Sequence, residues 1–172
     1  MFVNSLPLFP YFCNVKQKIL FVCHGNICRS PMAEFIMKKM VADMGRQDDY
    51  MIDSVATSTE EVGNDLYPPA QKCLREHGIP FVHRRVRQMT CADYDHYDRI
   101  FLMDDNNYAW LARRMPDLFW RTPAGWADRD GKTSRLMSLV GEPRDVADPW
   151  YTGNFERTYS DIVCALSFFL GA

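Results

Sequence analysis

The chain has 172 residues, of which 47% are hydrophobic and 24% charged, and its formal net charge is −2. That length and balance fit one globular domain with a buried core. They exclude nucleic acid or an anionic membrane surface as a partner held by bulk charge, so any anion site must be local.

Residues 1–15 are apolar but carry Pro7 and Pro10, lack a basic leading segment and offer no small-residue cleavage site. They read as a short arm and not as a signal peptide, with the domain itself expected over residues 16–172. No stretch approaches the roughly 18 apolar residues of a spanning helix. The six cysteines, Cys13, Cys23, Cys28, Cys73, Cys91 and Cys164, read as reduced thiols of a cytoplasmic protein. The pair Cys23/Cys28 has no second pair at zinc-ligand spacing, so neither a metal nor a cofactor is expected.

Lys18–Cys23 is a short apolar run that predicts a first strand. Ser30 is an N-cap candidate and Pro31 suits a first helical turn. The following MAEFIMKKMVADMG is apolar at helical spacing and ends at Gly45. A second strand fits Met51–Thr57, and a helix fits Pro69–His77, closed by Gly78. Arg99–Met103 reads as a third strand, Asn106–Met115 as a helix, Ser134–Val140 as the last strand and Phe155–Leu170 as the closing helix. Between Met115 and Arg144 the residues Pro116, Trp120, Pro123, Gly125, Trp126 and Gly131 break any period, which predicts a loop folded over the core. The alternation implies an α/β fold: one four-stranded parallel sheet with helices on both faces.

The chemistry concentrates after the first strand, in VCHGNICRSP. A strand–turn–helix junction in a parallel sheet is where ligands bind, and the turn's backbone N–H groups favour an anion there. Gly25 and Asn26 both tolerate unusual backbone angles. A cysteine at the base of such a nest is favoured as a thiolate by the helix start and by nearby cations. The guanidinium of Arg29 offers a planar fork that matches two phosphate oxygens. A nucleophile inside an oxyanion cradle suits attack on phosphorus. Late in the chain, proline after Asp148 fixes a turn and the aromatic neighbours Trp150 and Tyr151 would partly desolvate its carboxyl group.

This loop resembles the active-site loop of the low-molecular-weight protein tyrosine phosphatases, and further matches follow in order. They are DSVATS from Asp53, HGI ending at Ile79, RQMT from Arg87, MDDNN from Met103 and DPWYTGNFERTY from Asp148. The resemblance covers about residues 16–170 and leaves the arm aside. It implies a phosphate-binding loop after the first strand and hydrolysis of phosphotyrosine through a phosphocysteine intermediate. Cys23 would be the nucleophile, Arg29 the phosphate clamp and Asp148 the general acid and base. His24, Gly25, Asn26, Ile27, Cys28 and Ser30 would line the phosphate site, and Ser30 would donate to the thiolate. Asn26 would be the hub of the loop, bonded towards Ser30, Ser54 and His83. Trp150 and Tyr151 would wall the slot for the phenyl ring, with Ile27 on the other side. Cys28 would form a reversible disulfide with Cys23 under oxidation.

The implied partners are phosphotyrosine-containing proteins or small aryl phosphates, with inorganic phosphate as product and no nucleic acid or membrane. Glu60 stands where many relatives of this family place an aromatic residue, and with Glu61 it predicts an acidic entrance. Thiol-dependent arsenate reductases and protein arginine phosphatases share the implied fold. The former need a relay of resolving cysteines that Cys73 and Cys91 do not resemble, and the latter carry a small polar residue where this chain has Ile27. A non-catalytic phosphopeptide-binding module is the alternative outside enzymes.

Overall fold

A computed structural model describes residues 15–142 and 144–172; residues 1–14 of the expected arm lie outside them. The main sheet is formed by β1 (Gln17–Cys23), β2 (Tyr50–Ala56), β3 (Arg99–Leu102) and β6 (Thr133–Arg135). All its pairings are parallel and the order is β2-β1-β3-β6, so β1 lies inside, with β2 and β3 as neighbours. The unbroken apolar run of β1 follows from this position. Ile19, Phe21 and Cys23 face one core, while Leu20 and Val22 face the other.

The first core packs under α1 (Arg29–Asp43), α2 (Pro68–Glu76) and α6 (Phe155–Leu170). In α1, Met32, Phe35, Ile36 and Met37 are buried, and Gly45 just beyond its end takes the left-handed angle that stops the helix. The second core lies under α3 (Cys91–His96) and α4 (Asp105–Arg114). It is closed by a hairpin of β4 (Phe119–Thr122) and β5 (Gly125–Asp128).

That hairpin replaces the loop expected between Met115 and Arg144. The buried hydroxyl of Tyr94 in α3 donates to Asp128 at 2.6 Å, and Trp126 stacks on Tyr108 of α4 at 5.8 Å. The strand expected over Ser134–Val140 stops at Arg135 and continues as a 3-10 turn, Leu136–Val140. There the Ser138 hydroxyl donates to the Arg135 carbonyl at 2.6 Å, and left-handed Gly141 closes the turn. Helix α3 was not expected at all, although Thr90 and Asp93 form a capping box at its start. The closing helix has the expected bounds.

Short α5 (Pro149–Thr152) precedes α6. The approach to it is anchored by buried Asp161 of α6, which takes hydrogen bonds from both terminal nitrogens of Arg144 at 2.8 Å and from the Ala147 N–H at 3.1 Å. Those bonds fix the chain immediately before Asp148. Among the described residues, no helix is long and apolar enough to cross a membrane.

Candidate active site

Strand order reverses beside β1, and the carboxyl ends of β1 and β3 open on one cleft there. β1 ends on Cys23, whose Sγ accepts from the Asn26 backbone N–H at 3.2 Å and from the Ser30 hydroxyl at 3.1 Å. The sulfur is thus solvated by the loop in place of water.

Asn26 has φ 54°, the only positive φ on a non-glycine residue among those described. The left-handed position therefore falls on Asn26 and not on Gly25. Gly25 serves by being small: a Cβ there would stand 3.2 Å from Cγ of Glu61. The buried Asn26 amide donates to Ser30 at 2.7 Å and to Ser54 at 2.8 Å, and its oxygen accepts from Nη2 of Arg84 at 2.9 Å. Arg84 also reaches the Ser54 hydroxyl, the Ser54 carbonyl and the buried Glu34 carboxylate.

Arg84 occupies the place expected for His83, which is a correction. The His83 ring is exposed and pairs with Asp65 instead. The reason is donor count: Glu34, Ser54 and Asn26 together need several donors in a fork, and an imidazole has at most two.

Ser30, expected as the N-cap, sits inside the first turn of α1 with its hydroxyl on Cys23. The helix starts after Cys28 and no side chain caps it. Its first N–H groups and the positive end of its dipole are left for an anion.

Arg29 is buried, with Nη1 on Asp104 and Nη2 on Asp148, both at 2.6 Å. Burial alone would lower its pKa, but the negative charges of Cys23, Asp104 and Asp148 outweigh that and raise it. Asp104 follows β3 and divides its oxygens: Oδ1 caps α4 by accepting from the Asn107 N–H at 2.8 Å, and Oδ2 holds Arg29. Asp148 does the same at α5, taking the Trp150 N–H on Oδ1 at 3.0 Å and facing Arg29 with Oδ2.

The cleft above these groups has a volume of about 320 Å³. Its aromatic surface comes from Trp150 and Tyr151 of α5, both exposed, and from Trp110 of α4. Ile27 contributes an apolar patch and is itself packed on Cys28, Ala56 and Val86. Glu60 and Glu61 line the same cleft. Nε2 of His24 lies 3.0 Å from Glu60, with the ring 5.1 Å from that of Trp110. Burial first, and then the charges of Cys23 and Asp148, pushes the Cys28 thiol far up, so it stays protonated.

The structure brings Cys23, His24, Gly25, Asn26, Ile27, Cys28, Arg29, Asp148, Trp150 and Tyr151 to one cleft, with Ser30 and Ser54 beneath it. His83 stands apart. Sequence reasoning missed Asp104, Arg84 and Trp110. The Asp104/Asn107 box opening a helix after a strand was a readable sign of the first. A tryptophan on the polar side of α4 was a sign of the last.

The family model described as low molecular weight phosphotyrosine protein phosphatase matches residues 18–170. The human low molecular weight phosphotyrosine protein phosphatase is 35% identical over 155 residues, which cover 88% of this chain and 93% of the relative. The crystal structure of YfkJ from Bacillus subtilis aligns with a TM-score of 0.80 at 33% identity, covering 91% of this chain and 94% of that one. The structure of DARP, a Drosophila arginine phosphatase, aligns with a TM-score of 0.77 at 31% identity, covering 90% and 96%.

The support network makes a test. Arg84→Met leaves Lys38 on Oε1 of Glu34 at 2.6 Å but strips Oε2, Ser54 and the Asn26 oxygen of a shared donor, and is expected to cost about 1–3 kcal/mol by urea unfolding. Adding Glu34→Gln to the same chain should return part of that loss, because a neutral amide costs less to bury beside the lost guanidinium than a carboxylate. His83→Ala should stay within about 0.5 kcal/mol of the parent. A large loss from His83→Ala with none from Arg84→Met would reverse the assignment of the hub partner.

Proposed function

The chain belongs to the low molecular weight phosphotyrosine protein phosphatase family, and from that premise we propose how its own residues divide the reaction. The protein is an enzyme that hydrolyses phosphotyrosine. Cys23 attacks phosphorus, forming the S–P bond as the bond to the phenolic oxygen breaks. Asp148 delivers a proton to that leaving oxygen. A water then attacks the phosphocysteine and gives its proton to Asp148, and the sulfur leaves as a thiolate received by Ser30 and the Asn26 N–H. Inorganic phosphate is released. No step needs a metal or a cofactor.

The observation that carries this reading is the position of Arg29. One buried guanidinium, ion-paired through both terminal nitrogens to carboxylates, sits where the nucleophile and the candidate acid meet. Arriving phosphate oxygens take the nitrogen that Asp148 now occupies, which frees the carboxylate to take up a proton from solvent and then face the leaving oxygen. Asp104 stays, and keeps the fork in its plane. The substrates are phosphotyrosine-containing proteins or small aryl phosphates. The depth of the slot disfavours phosphoserine, and apolar Ile27 favours an aryl ring over a phosphorylated guanidinium. The free thiols suit a reducing compartment such as the cytoplasm.

Phosphates of tyrosine, serine and arginine assayed in parallel test the reading, with tyrosine phosphate expected to turn over fastest. Cys23→Ser should abolish turnover while phosphate still binds. Asp148→Asn should slow phosphotyrosine hydrolysis by about 10²–10³, as loss of a general acid does. The loss should shrink for leaving groups that are already acidic. Equal losses across leaving groups would remove Asp148 as the acid.

Trp110 takes the role of an aromatic wall on the α4 side, while Glu60, hydrogen-bonded to His24, makes the entrance acidic. Trp110→Ala should raise KM for aryl phosphates and leave inhibition by inorganic phosphate unchanged. Peptides with acidic residues beside the phosphotyrosine should be cleaved more slowly than basic ones at low salt, a gap that narrows as salt screens exposed charges. If the acidic and basic peptides differ at no ionic strength, the rim does not select by charge.

Cys28 acts as the resolving thiol for an oxidised Cys23. A sulfenic acid on Cys23 condenses with the Cys28 thiol, releasing water and forming the disulfide. Peroxide inactivation should be reversed by dithiothreitol in the parent and remain irreversible in Cys28→Ser. Full recovery of that variant would leave Cys28 as a packing residue only.

A further inference from the structure

On the far side of the α5 segment, three potential metal ligands from two helices meet. Cys73 and His77 lie four residues apart at the end of α2, on one face of the helix. Glu156 comes from the first turn of α6. Their ligand atoms all lie within 4.8 Å of one another. The Cys73 thiol points at Oε1 of Glu156 at 3.5 Å, and Nε2 of His77 lies 2.8 Å from Oε2. Donor atoms on a tetrahedral ion with bonds of about 2.0–2.3 Å are separated by roughly 3.3–3.7 Å; the Cys73–Glu156 spacing already falls in that range, and the His77–Glu156 spacing must open by about 0.5 Å.

Other features favour a built site over a chance cluster. The His77 ring stacks on Tyr159 at 3.7 Å and 9°, which fixes its plane. The thiol is buried, yet it lines a shallow cleft of about 610 Å³ that also holds Glu76 and Glu156 and gives an ion a way in. One thiolate and one carboxylate would neutralise a divalent ion, and a sulfur–nitrogen–oxygen set is borderline-soft. Cys73 and His77 have no part in the reaction proposed above.

We propose that Cys73, His77 and Glu156 form a binding site for zinc or a similar borderline-soft divalent ion, with water in the remaining position. On binding, Cys73 passes its thiol proton to water and bonds through sulfur. His77 bonds through the lone pair of Nε2, with its ring proton on Nδ1. Glu156 exchanges its two hydrogen bonds for one metal–oxygen bond. The ion then staples the end of α2 to the start of α6, immediately after the α5 segment.

Cobalt(II) is the probe, because a thiolate ligand and tetrahedral geometry give separate absorption bands. It is added to Cys23→Ser protein, so that the catalytic thiol cannot contribute. One equivalent should produce a near-ultraviolet thiolate-to-cobalt band with tetrahedral bands in the visible, and zinc should bleach both. Zinc at about a hundredfold excess over its Kd should raise the Tm by roughly 5–10 °C. Adding Cys73→Ser should remove the sulfur band, and adding Glu156→Gln or His77→Ala should weaken binding at least tenfold. These last two alter exposed or half-exposed side chains, so they keep the test valid if Cys73→Ser folds poorly. Unchanged bands in all three variants, or no bands and no Tm shift in the Cys23→Ser parent, would overturn the site.

Discussion

Asn26 holds a left-handed backbone angle of φ 54° in the middle of the loop, and the candidate site depends on that angle being kept. Such a residue costs on the order of 1–2 kcal/mol, which its surroundings must offset. They do so with a closed polar network. The Asn26 amide bonds to Ser30 and Ser54, Ser54 donates to Glu34, and Arg84 ties Asn26, Ser54 and Glu34 together. Nearly every member is buried, so each missing partner leaves a desolvated polar group. The turn of the chain at Asn26 is what aims its own N–H, and the Ser30 hydroxyl, at the Cys23 sulfur.

Electrostatics complete the design. A buried cation is stable only when paired, and Arg29 is paired twice. The two carboxylates are held differently. Asp104 is nearly buried and belongs to the capping box of α4, whereas Asp148 is more exposed and caps a helix of only four residues. The exposed one is the easier to exchange for a phosphate oxygen. An anion entering the cleft therefore meets a guanidinium already oriented, with one site to release.

Much of this was legible in the sequence because it depends on local chemistry. The strand run, the Gly-Asn turn and Pro31 placed the loop, and alternation placed the sheet. Asp148-Pro149 marked the second contributor. Where reading failed, the cause was long-range. His83 and Arg84 are adjacent in sequence, and only Glu34 and Ser54, far away in the chain, decide which of them faces inward. The β4/β5 hairpin has no clean period because Trp126 packs on Tyr108 and Asp128 answers Tyr94. Its strands are specified by what they cover. Helix α3 is a different failure: the Thr90/Asp93 cap was present in the sequence and went unread.

In the proposed reaction, phosphate capture and leaving-group protonation fall to separate parts of the fold. The loop from His24 to Cys28 is continuous with β1 and α1, both deep in the core. Asp148, Trp150 and Tyr151 ride on a segment fastened at its flanks. Before it, Asp161 grips Arg144 and Ala147; after it, the Thr158 hydroxyl donates back to the Ala147 carbonyl at 2.7 Å. Between these anchors the side chains of Trp150 and Tyr151 remain open to solvent. On the proposed assignment, a change in the α5 segment alters which ring is admitted and how its oxygen is protonated, while the anion nest keeps its shape. Specificity can vary on such a chain without rebuilding the chemistry, because the strained, fully bonded half and the exposed, anchored half meet at the ion pair of Arg29 and Asp148.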